Sequence, residues 1–132
     1  MGKRAVAVII KGGKILLMGR IKNGQQYFVF PGGGVEKDEK ISSALIREIK
    51  EEFNIDVKIE KPLFRIKNQG RQEFYFLVKK FIGIPEISGE EKERMNKNNQ
   101  YFPAWFDLKK AIKLPNLYPE QAKQKVENLI KK

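Results

Sequence analysis

Two residue types with versatile chemistry are missing from this chain of 132 residues, which has no cysteine and no histidine. Without cysteine, the chain can form neither a disulfide framework nor a thiolate. Without histidine, imidazole cannot serve as a base, as a hydrogen-bond donor to phosphate or as a metal ligand. Any acid–base or metal chemistry must therefore come from carboxylates, lysines or tyrosines.

Long apolar runs are also absent, because the longest one near the N-terminus covers only residues 5–10. Such a run is too short for a membrane span or for the core of a signal peptide. A length of 132 residues suits a domain with a core of its own, so we expect a single domain over residues 1–132. These features predict a soluble, cytoplasmic protein without a membrane partner.

Acidic residues are few relative to basic ones, 16 against 27, and the formal net charge is +11. This charge attracts polyanions, including nucleotides and nucleic acids. The lysines are spread along the whole chain, and no compact basic and aromatic cluster typical of an RNA or DNA reader stands out. The pattern therefore favours a lysine-rich solvated surface, with nucleic-acid binding as the less favoured alternative.

The apolar periodicity predicts that strands dominate the first third of the chain, and that both helices and further strands follow. The predicted strands cover residues 4–10, 14–20, 27–30, 57–67, 72–82 and 101–106. The predicted helices cover residues 40–53 and 119–131. Residues 83–100 are rich in Glu, Lys and Asn, and we expect a polar loop there.

The first predicted helix carries three carboxylates within five residues, at Glu48, Glu51 and Glu52. At helical spacing these side chains project from one side, and Glu48 and Glu52 continue the apolar stripe of the first two turns. A solvated acidic face paired with Arg47 and Lys50 would instead lie opposite that stripe. Carboxylates on the buried side need a counter-charge, and a hard divalent cation with oxygen ligands supplies one.

Residues 33–55 read Gly33-x5-Glu39-x7-Arg47-Glu48-Ile49-x-Glu51-Glu52-x-Asn54-Ile55. This spacing resembles the signature box of the Nudix hydrolases, which cleave nucleoside diphosphates linked to another moiety. One fixed position departs from the box, because its last glycine is Asn54 here. Asparagine is the best non-glycine residue for a left-handed helix end, so the departure is tolerable. The resemblance implies an α+β Nudix fold, a mixed β-sheet sandwiched between helices (α/β/α).

The resemblance also implies roles for single residues. The implied ligands of Mg²⁺, for which Mn²⁺ can substitute, are Glu48, Glu51, Glu52 and the carbonyl of Gly33. Arg47 would hold the glutamates in place by ion pairing, and Glu39 would be a structural residue near the metal. We expect these residues to form the centre of the site.

The base that activates water is a separate question, because attack on phosphorus needs metals, a carboxylate or both. Glu52 is the first candidate as a metal-bound base or ligand, and Glu51 and Arg47 are further catalytic candidates. Some relatives use a glutamate from a later loop, where Glu91 is available here. A solvated loop position is the alternative for Glu91.

Substrate contacts are expected at two places. The backbone of Gly32, Gly33 and Gly34 can approach a phosphate because no side chain intervenes. Tyr118 and Glu120 lie in a segment that resembles the aromatic-Pro-acid segment of some nucleotide-cleaving Nudix enzymes, which implies stacking on the base and reading of its polar edge. Other aromatic candidates, each of which could instead be core, are Tyr27, Phe28, Phe74, Tyr101 and Trp105.

Three functions remain open at this point. The favoured one is a metal-dependent pyrophosphohydrolase that acts on a nucleoside triphosphate or a modified purine nucleotide. A second is hydrolysis of another diphosphate, such as a dinucleoside polyphosphate, ADP-ribose or a nucleotide sugar. The third is a non-catalytic nucleotide- or RNA-binding module, which should have lost a box glutamate. The expected partner is a small nucleotide, and the chain could be a monomer or a homodimer.

Overall fold

The computed structural model describes residues 2–131, apart from the side chains of Glu90 and Glu91. The strands are β1 (Lys3–Lys11), β2 (Lys14–Lys22), β3 (Gln25–Val29), β4 (Gly32–Gly34), β5 (Asp56–Asn68), β6 (Arg71–Ile82), β7 (Asn99–Asp107) and β8 (Leu117–Tyr118). The helices are α1 (Ile41–Phe53), α2 (Gly89–Arg94), α3 (Leu108–Ala111) and α4 (Glu120–Ile130). No helix within the described residues is both long enough and apolar enough to cross a membrane.

The strands form one mixed sheet in the order β5-β6-β1-β2-β3-β8, with β4 paired to β1 and β7 paired to β2. The pairs β1–β6 and β3–β8 are parallel, and the other strand pairs are antiparallel. A mixed sheet needs crossover connections, and helices commonly supply them. The predicted mixed sheet is therefore confirmed.

Helices cover both faces of this sheet. Side chains of a strand alternate between the two faces, and in β1 Ala7 and Ile9 join the core that α1 covers, whereas Val6 and Val8 join the core that α4 covers. Two apolar cores thus lie on opposite sides of one sheet. This arrangement confirms the predicted α/β/α sandwich.

Helix α1 packs Ala44, Leu45, Ile49 and Phe53 into the first core, as its apolar periodicity predicts. The helix ends at Asn54, whose φ of 56° and ψ of 37° are left-handed. The predicted helix and its left-handed end are therefore confirmed.

A segment far along the chain, residues 86–89, closes the C-terminal end of α1, and we call it the capping segment. Its bonds are Ser88 Oγ to the Glu51 carbonyl at 2.6 Å, the Ser88 N–H to the Glu52 carbonyl at 3.0 Å, and the Glu86 N–H to the Phe53 carbonyl at 3.0 Å. The Asn54 N–H takes the remaining carbonyl, that of Lys50, at 3.0 Å. All four terminal carbonyls of the helix therefore have hydrogen-bond donors.

The prediction of a loop over residues 83–100 is wrong in part, because this region contains α2 and the first residues of β7. The short elements α3 and β8 and the three-residue strand β4 are also absent from the sequence prediction. Such short elements show too few residues for a periodic signal. Glycine also has a low strand propensity, so β4 is formed by its pairing with β1 rather than by local preference.

Candidate active site

Arg47 is the centre of a hydrogen-bonded cluster that joins α1, β4 and the loop between them. Its Nε and one terminal nitrogen donate to the two carboxylate oxygens of Glu39, both at 2.9 Å. The other terminal nitrogen donates to Glu48 at 2.9 Å and to Glu51 at 3.4 Å. The Gly34 carbonyl accepts a further bond at 3.0 Å. One guanidinium therefore fixes the positions of three glutamates and of strand β4.

This cluster changes the titration of its members. The hydrogen bonds from Arg47 and from the Glu36 N–H lower the pKa of Glu39 from 4.5 to about 2. The hydrogen bond to Glu39 raises the pKa of Arg47 above its ordinary value. Both shifts favour the charged forms, so the Arg47–Glu39 pair stays ionised at neutral pH.

Gly33 lies directly against the carboxylate of Glu48. A β-carbon built at position 33 would overlap the oxygens of that carboxylate. A larger residue at this position would push the Glu48 carboxylate aside, so glycine gives that carboxylate room to lie against β4. The contact also brings carboxylate oxygens beside a glycine backbone.

The three box glutamates differ in depth. The side chain of Glu51 is 54% exposed and that of Glu48 is 19% exposed, whereas Glu52 is 7% exposed as a residue. Glu52 lines an inner cavity of about 210 Å³. Its other lining residues include Arg4, Arg20, Gly32, Arg94 and Tyr101. The acids thus lead from the surface of α1 into a small polar cavity.

A larger cleft of about 600 Å³ adjoins this inner cavity, because both share Arg4, Arg20, Val29 and Phe30. We call it the outer cleft. Tyr27 and Tyr118 both line it, and their rings meet edge to face at 6.3 Å. Tyr118 is 48% exposed, which leaves ring surface open to a ligand. Glu120 also lines the outer cleft and pairs with Lys123 at 2.9 Å.

The other aromatic candidates have varied positions. Phe28 is buried in the second core, and Trp105 stacks on Phe81 at 6.2 Å, away from the residues that line the outer cleft. Tyr101 lines the inner cavity and accepts a hydrogen bond from Arg20 at 3.2 Å. Phe74 is half-buried and does not line either cavity. Of the alternatives to Tyr118, Tyr27 alone lies at the outer cleft.

The additional base candidate, Glu91, lies in α2 by its backbone, and its side chain is outside the described residues. The contribution of Glu91 therefore stays a prediction.

Several cleft residues escaped the sequence analysis, namely Arg4, Arg20, Asn68, Glu73 and Gln121. A signal existed for Glu73, which shares the buried parity of β6 with Tyr75 and Leu77. An acid at a buried strand position indicates a polar partner or a ligand. The other residues stand at exposed or half-buried positions, where sequence alone carries no signal for a cleft.

A model of the NUDIX domain matches residues 1–127 of the chain. The chain belongs to the Nudix domain family. Among curated proteins, the chain is 28% identical over 101 residues to diphosphoinositol polyphosphate phosphohydrolase 2 of Mus musculus, a match that covers 76% of this chain and 54% of that protein. The chain thus spans about half the length of the curated relatives it matches.

Solved structures share the Nudix fold across nearly the whole chain. The solution structure of the E. coli ORF135 protein gives a TM-score of 0.75 at 26% identity and covers 98% of this chain and 89% of that one. The MutT NUDIX hydrolase from Burkholderia pseudomallei gives a TM-score of 0.72 at 23% identity, with 96% and 95% covered.

Nudix hydrolases generally use divalent metals, and the residues of this site can be compared with what such an ion requires. Among the described residues, no three His, Cys, Asp or Glu side chains converge as a ready-made metal cage. The donor set is nevertheless chemically suitable, since it combines the carboxylates of Glu48 and Glu52 with backbone carbonyls of the glycine strand. Oxygen ligands of this kind suit Mg²⁺, which keeps several waters and needs few protein ligands.

Proposed function

We propose that the protein is a divalent-metal-dependent pyrophosphohydrolase that acts on a nucleoside triphosphate or a modified purine nucleotide. In this reaction, one water attacks phosphorus and one P–O–P bond breaks, so that a nucleoside triphosphate gives a nucleoside monophosphate and inorganic pyrophosphate. The observation that carries the proposal is the outer cleft with the paired rings of Tyr27 and Tyr118, which adjoins the cavity lined by Glu52. A base and a diphosphate on one substrate need two such adjoining sites.

In the outer cleft, Tyr118 would stack on the base, and Glu120 would accept a hydrogen bond from its polar edge. An exposed ring suits stacking because every base offers a flat face. Tyr27, which meets Tyr118 edge to face, would hold that ring in place. These two contacts would fix the nucleoside, so that its phosphates reach the inner cavity.

Arg20, like Arg4, lines both the inner cavity and the outer cleft. Its guanidinium lies 5.4 Å from the ring of Tyr27 and 4.9 Å from that of Tyr101, so its position is fixed by stacking as well as by hydrogen bonding. A planar guanidinium is suited to phosphate oxygens. The backbone of Gly32–Gly34 would lie along the same phosphates.

The acid side chains would hold the metal and handle the proton. Glu48, Glu51 and Glu52, with the Gly33 carbonyl, would be the ligands of Mg²⁺ or Mn²⁺, and the ion would neutralise the diphosphate and lower the pKa of bound water. Glu52 would accept the proton of the attacking water, since its buried carboxylate lies in the cavity. Arg47 would orient the glutamates without touching the substrate.

A hydrolysis panel tests this proposal. The protein is incubated with nucleoside triphosphates, oxidised purine nucleotides, dinucleoside polyphosphates, ADP-ribose and nucleotide sugars, with Mg²⁺ or Mn²⁺, and products are resolved by chromatography. We expect a nucleoside monophosphate and inorganic pyrophosphate from a nucleoside triphosphate, and no turnover in excess chelator. Full turnover with chelator would contradict the requirement for a metal. Activity confined to another substrate class would contradict the proposed nucleotide substrate.

A second candidate is hydrolysis of a more highly phosphorylated diphosphate. The curated relatives are named as phosphohydrolases of diphosphoinositol polyphosphates, and three arginines, Arg4, Arg20 and Arg71, line the outer cleft. A diphosphoinositol polyphosphate therefore belongs in the same panel. The third candidate, a non-catalytic binding module, is disfavoured because the chain keeps every box glutamate.

A further inference from the structure

A buried carboxylate lies in the wall of the outer cleft. Glu73 of β6 is 3% exposed, yet it lines that cleft. Its partners are the Tyr75 hydroxyl at 2.8 Å, the Asn68 side-chain amide nitrogen at 3.2 Å, and Arg4 Nε at 3.6 Å. Burying such a group is costly unless it is hydrogen-bonded, so this network holds its members in one arrangement.

The network orients the amide of Asn68. A carboxylate bonded to a hydroxyl and an arginine acts as an acceptor, so the Asn68 nitrogen must face it. The Asn68 oxygen is the opposite end of the same amide, and Asn68 lines the outer cleft. With its nitrogen held by Glu73, the Asn68 amide has its oxygen left as an acceptor in the wall of the cleft.

Two neighbouring residues of α4 also offer oxygen atoms as hydrogen-bond acceptors. Gln121 donates from its side-chain nitrogen to the Lys67 carbonyl at 3.2 Å, which turns its oxygen away from that bond. Glu120 presents a carboxylate that is 68% exposed. Asn68, Glu120 and Gln121 all line the outer cleft, and we call them the acceptor group. A ligand edge beside this group gains most when it carries N–H donors.

We propose that the acceptor group selects nucleotides whose base carries an exocyclic amino group. The inference rests on the proposed function and names its substrate class more closely. Adenine, cytosine and guanine carry such an amino group, whereas uracil and hypoxanthine present a carbonyl or a hydrogen there. A carbonyl oxygen set against these acceptors would form no hydrogen bond with them, so a base with an amino group gains about one hydrogen bond over its partner.

Glu73 enters this proposal as a positioning residue, because it acts through Asn68 and does not touch the base. A competing explanation is that the network only fastens the turn between β5 and β6. A fastener would affect the stability of the protein but not the ratio of rates between two bases. The ratio therefore distinguishes the two roles.

The first experiment compares nucleotide pairs that differ in the amino group: CTP with UTP, GTP with ITP, and ATP with purine ribonucleoside triphosphate. One hydrogen bond to the amino group corresponds to about a fivefold difference in kcat/KM, and two bonds to more than tenfold. We expect the amino member to be preferred in at least two pairs. Equal kcat/KM within every pair would overturn the inference while leaving the pyrophosphohydrolase proposal intact.

The second experiment uses Asn68→Leu, Glu73→Gln and a control, Gln72→Ala, at an exposed position that does not line the cleft. Asn68→Leu removes the acceptor, and Glu73→Gln allows the Asn68 amide to turn over. Both should reduce the preference within each pair toward unity, and the control should keep it. Glu73→Gln keeps the size of the side chain, so it remains informative if Asn68→Leu fails to fold.

The two variants distinguish the proposed role of the network from a purely structural one. Loss of preference in both variants at a normal melting temperature supports the inference, and an unchanged preference in folded Asn68→Leu overturns it. If the protein hydrolyses a diphosphoinositol polyphosphate but no nucleotide, the proposed function fails and the inference fails with it.

Discussion

Glu52 combines two properties that seldom occur together, since it is 7% exposed and lies among polar residues that line a cavity. Histidine is absent from the chain, so the proton of an attacking water needs a carboxylate or a metal-bound partner. The exposed Glu51 is a poorer candidate, because water surrounds it and Arg47 already binds it. These differences in depth give the three box acids different expected roles.

Replacing Glu52 with glutamine should therefore reduce the rate much more than it harms folding. The substitution keeps the size of the side chain but removes the charge that binds metal or accepts a proton. We expect kcat to fall by about a hundredfold or more, measured by product formation beside a thermal melt of the same sample. The matched control is Glu60→Gln, at an exposed position of β5. A near-normal rate for Glu52→Gln would move the role to Glu48, Glu51 or Glu91.

Tyr118 allows a second test at this scale. Stacking on a base contributes about 1–3 kcal/mol in systems where alanine has replaced the aromatic residue. Tyr118→Ala should therefore raise KM for nucleotides by about tenfold to a hundredfold, with unchanged metal dependence. Tyr118 is half-exposed, so its removal should leave the melting temperature nearly unchanged. An unchanged KM in a folded variant would move the stacking role to Tyr27, which lines the same cleft.

Among the structural elements, α1 owes its C-terminal end to residues that are distant in sequence. The capping segment donates to the carbonyls of Glu51, Glu52 and Phe53, and its position also fixes the start of α2. A helix end with all its carbonyls satisfied is less prone to fraying. The last turn, which carries two box glutamates, is therefore held in place by the capping segment.

Substitutions at both ends of this contact should differ in cost. Ser88→Ala removes the bond to the Glu51 carbonyl and should lower the free energy of unfolding by about 1 kcal/mol.

Asn54→Gly relieves the strain of a left-handed asparagine but loses the hydrogen bond from its side chain to Glu86 at 3.2 Å. We therefore expect the free energy of unfolding to change by no more than about 1 kcal/mol. Asn54→Ala should lower the free energy of unfolding by about 1–2 kcal/mol, because the left-handed conformation is sterically unfavourable for alanine, which has no polar side chain to offset it. Urea unfolding measures all three, and an Asn54→Ala protein as stable as Asn54→Gly would refute the backbone argument.

The sequence predicted the long elements better than the short ones, for a physical reason. Helix α1 and strands β5 and β6 have enough residues for a period to appear, and their predicted bounds lie within one residue of those observed. Strand β8 has two residues, and its pairing with β3 depends on the rest of the sheet. Helix α2 is only six residues long, in a polar stretch with no apolar stripe.

For the molecule as a whole, the Arg47 cluster links stability to pH. Glu39 has a pKa of about 2 in the folded protein and an ordinary value of 4.5, so it binds fewer protons when folded. Its contribution to stability is complete above pH 4.5 and is lost as the pH falls toward 2. Protonating carboxylates also adds positive charge to a chain that already carries +11.

Urea unfolding at pH 7, 5, 4 and 3 should show this linkage. The wild-type protein should be more stable than Glu39→Gln at neutral pH, and the difference should shrink steadily below about pH 4.5 because glutamine does not titrate. The exposed control Glu60→Gln should run nearly parallel to the wild type. A constant difference between wild type and Glu39→Gln at every pH would contradict the link.

The site itself divides into a predictable part and an unpredictable part. The box residues lie within 23 positions, so their spacing along one helix and its preceding strand is readable from the sequence. The outer cleft combines Arg4, Asn68, Glu73 and Tyr118, which come from four separate strands. Their proximity depends on strand order and register, which no local pattern encodes.

The capping segment also sets the smallest piece of the chain that could carry the site. A synthetic peptide of residues 33–55 contains the whole signature, but it lacks the strand that pairs with Gly32–Gly34 and the donors that end α1. Grafting that stretch onto another scaffold would therefore transfer the sequence of the motif without the contacts that position its side chains. A functional transplant needs at least β1 and residues 86–89 as well, so the portable unit of this protein is assembled in space from three distant parts of the chain.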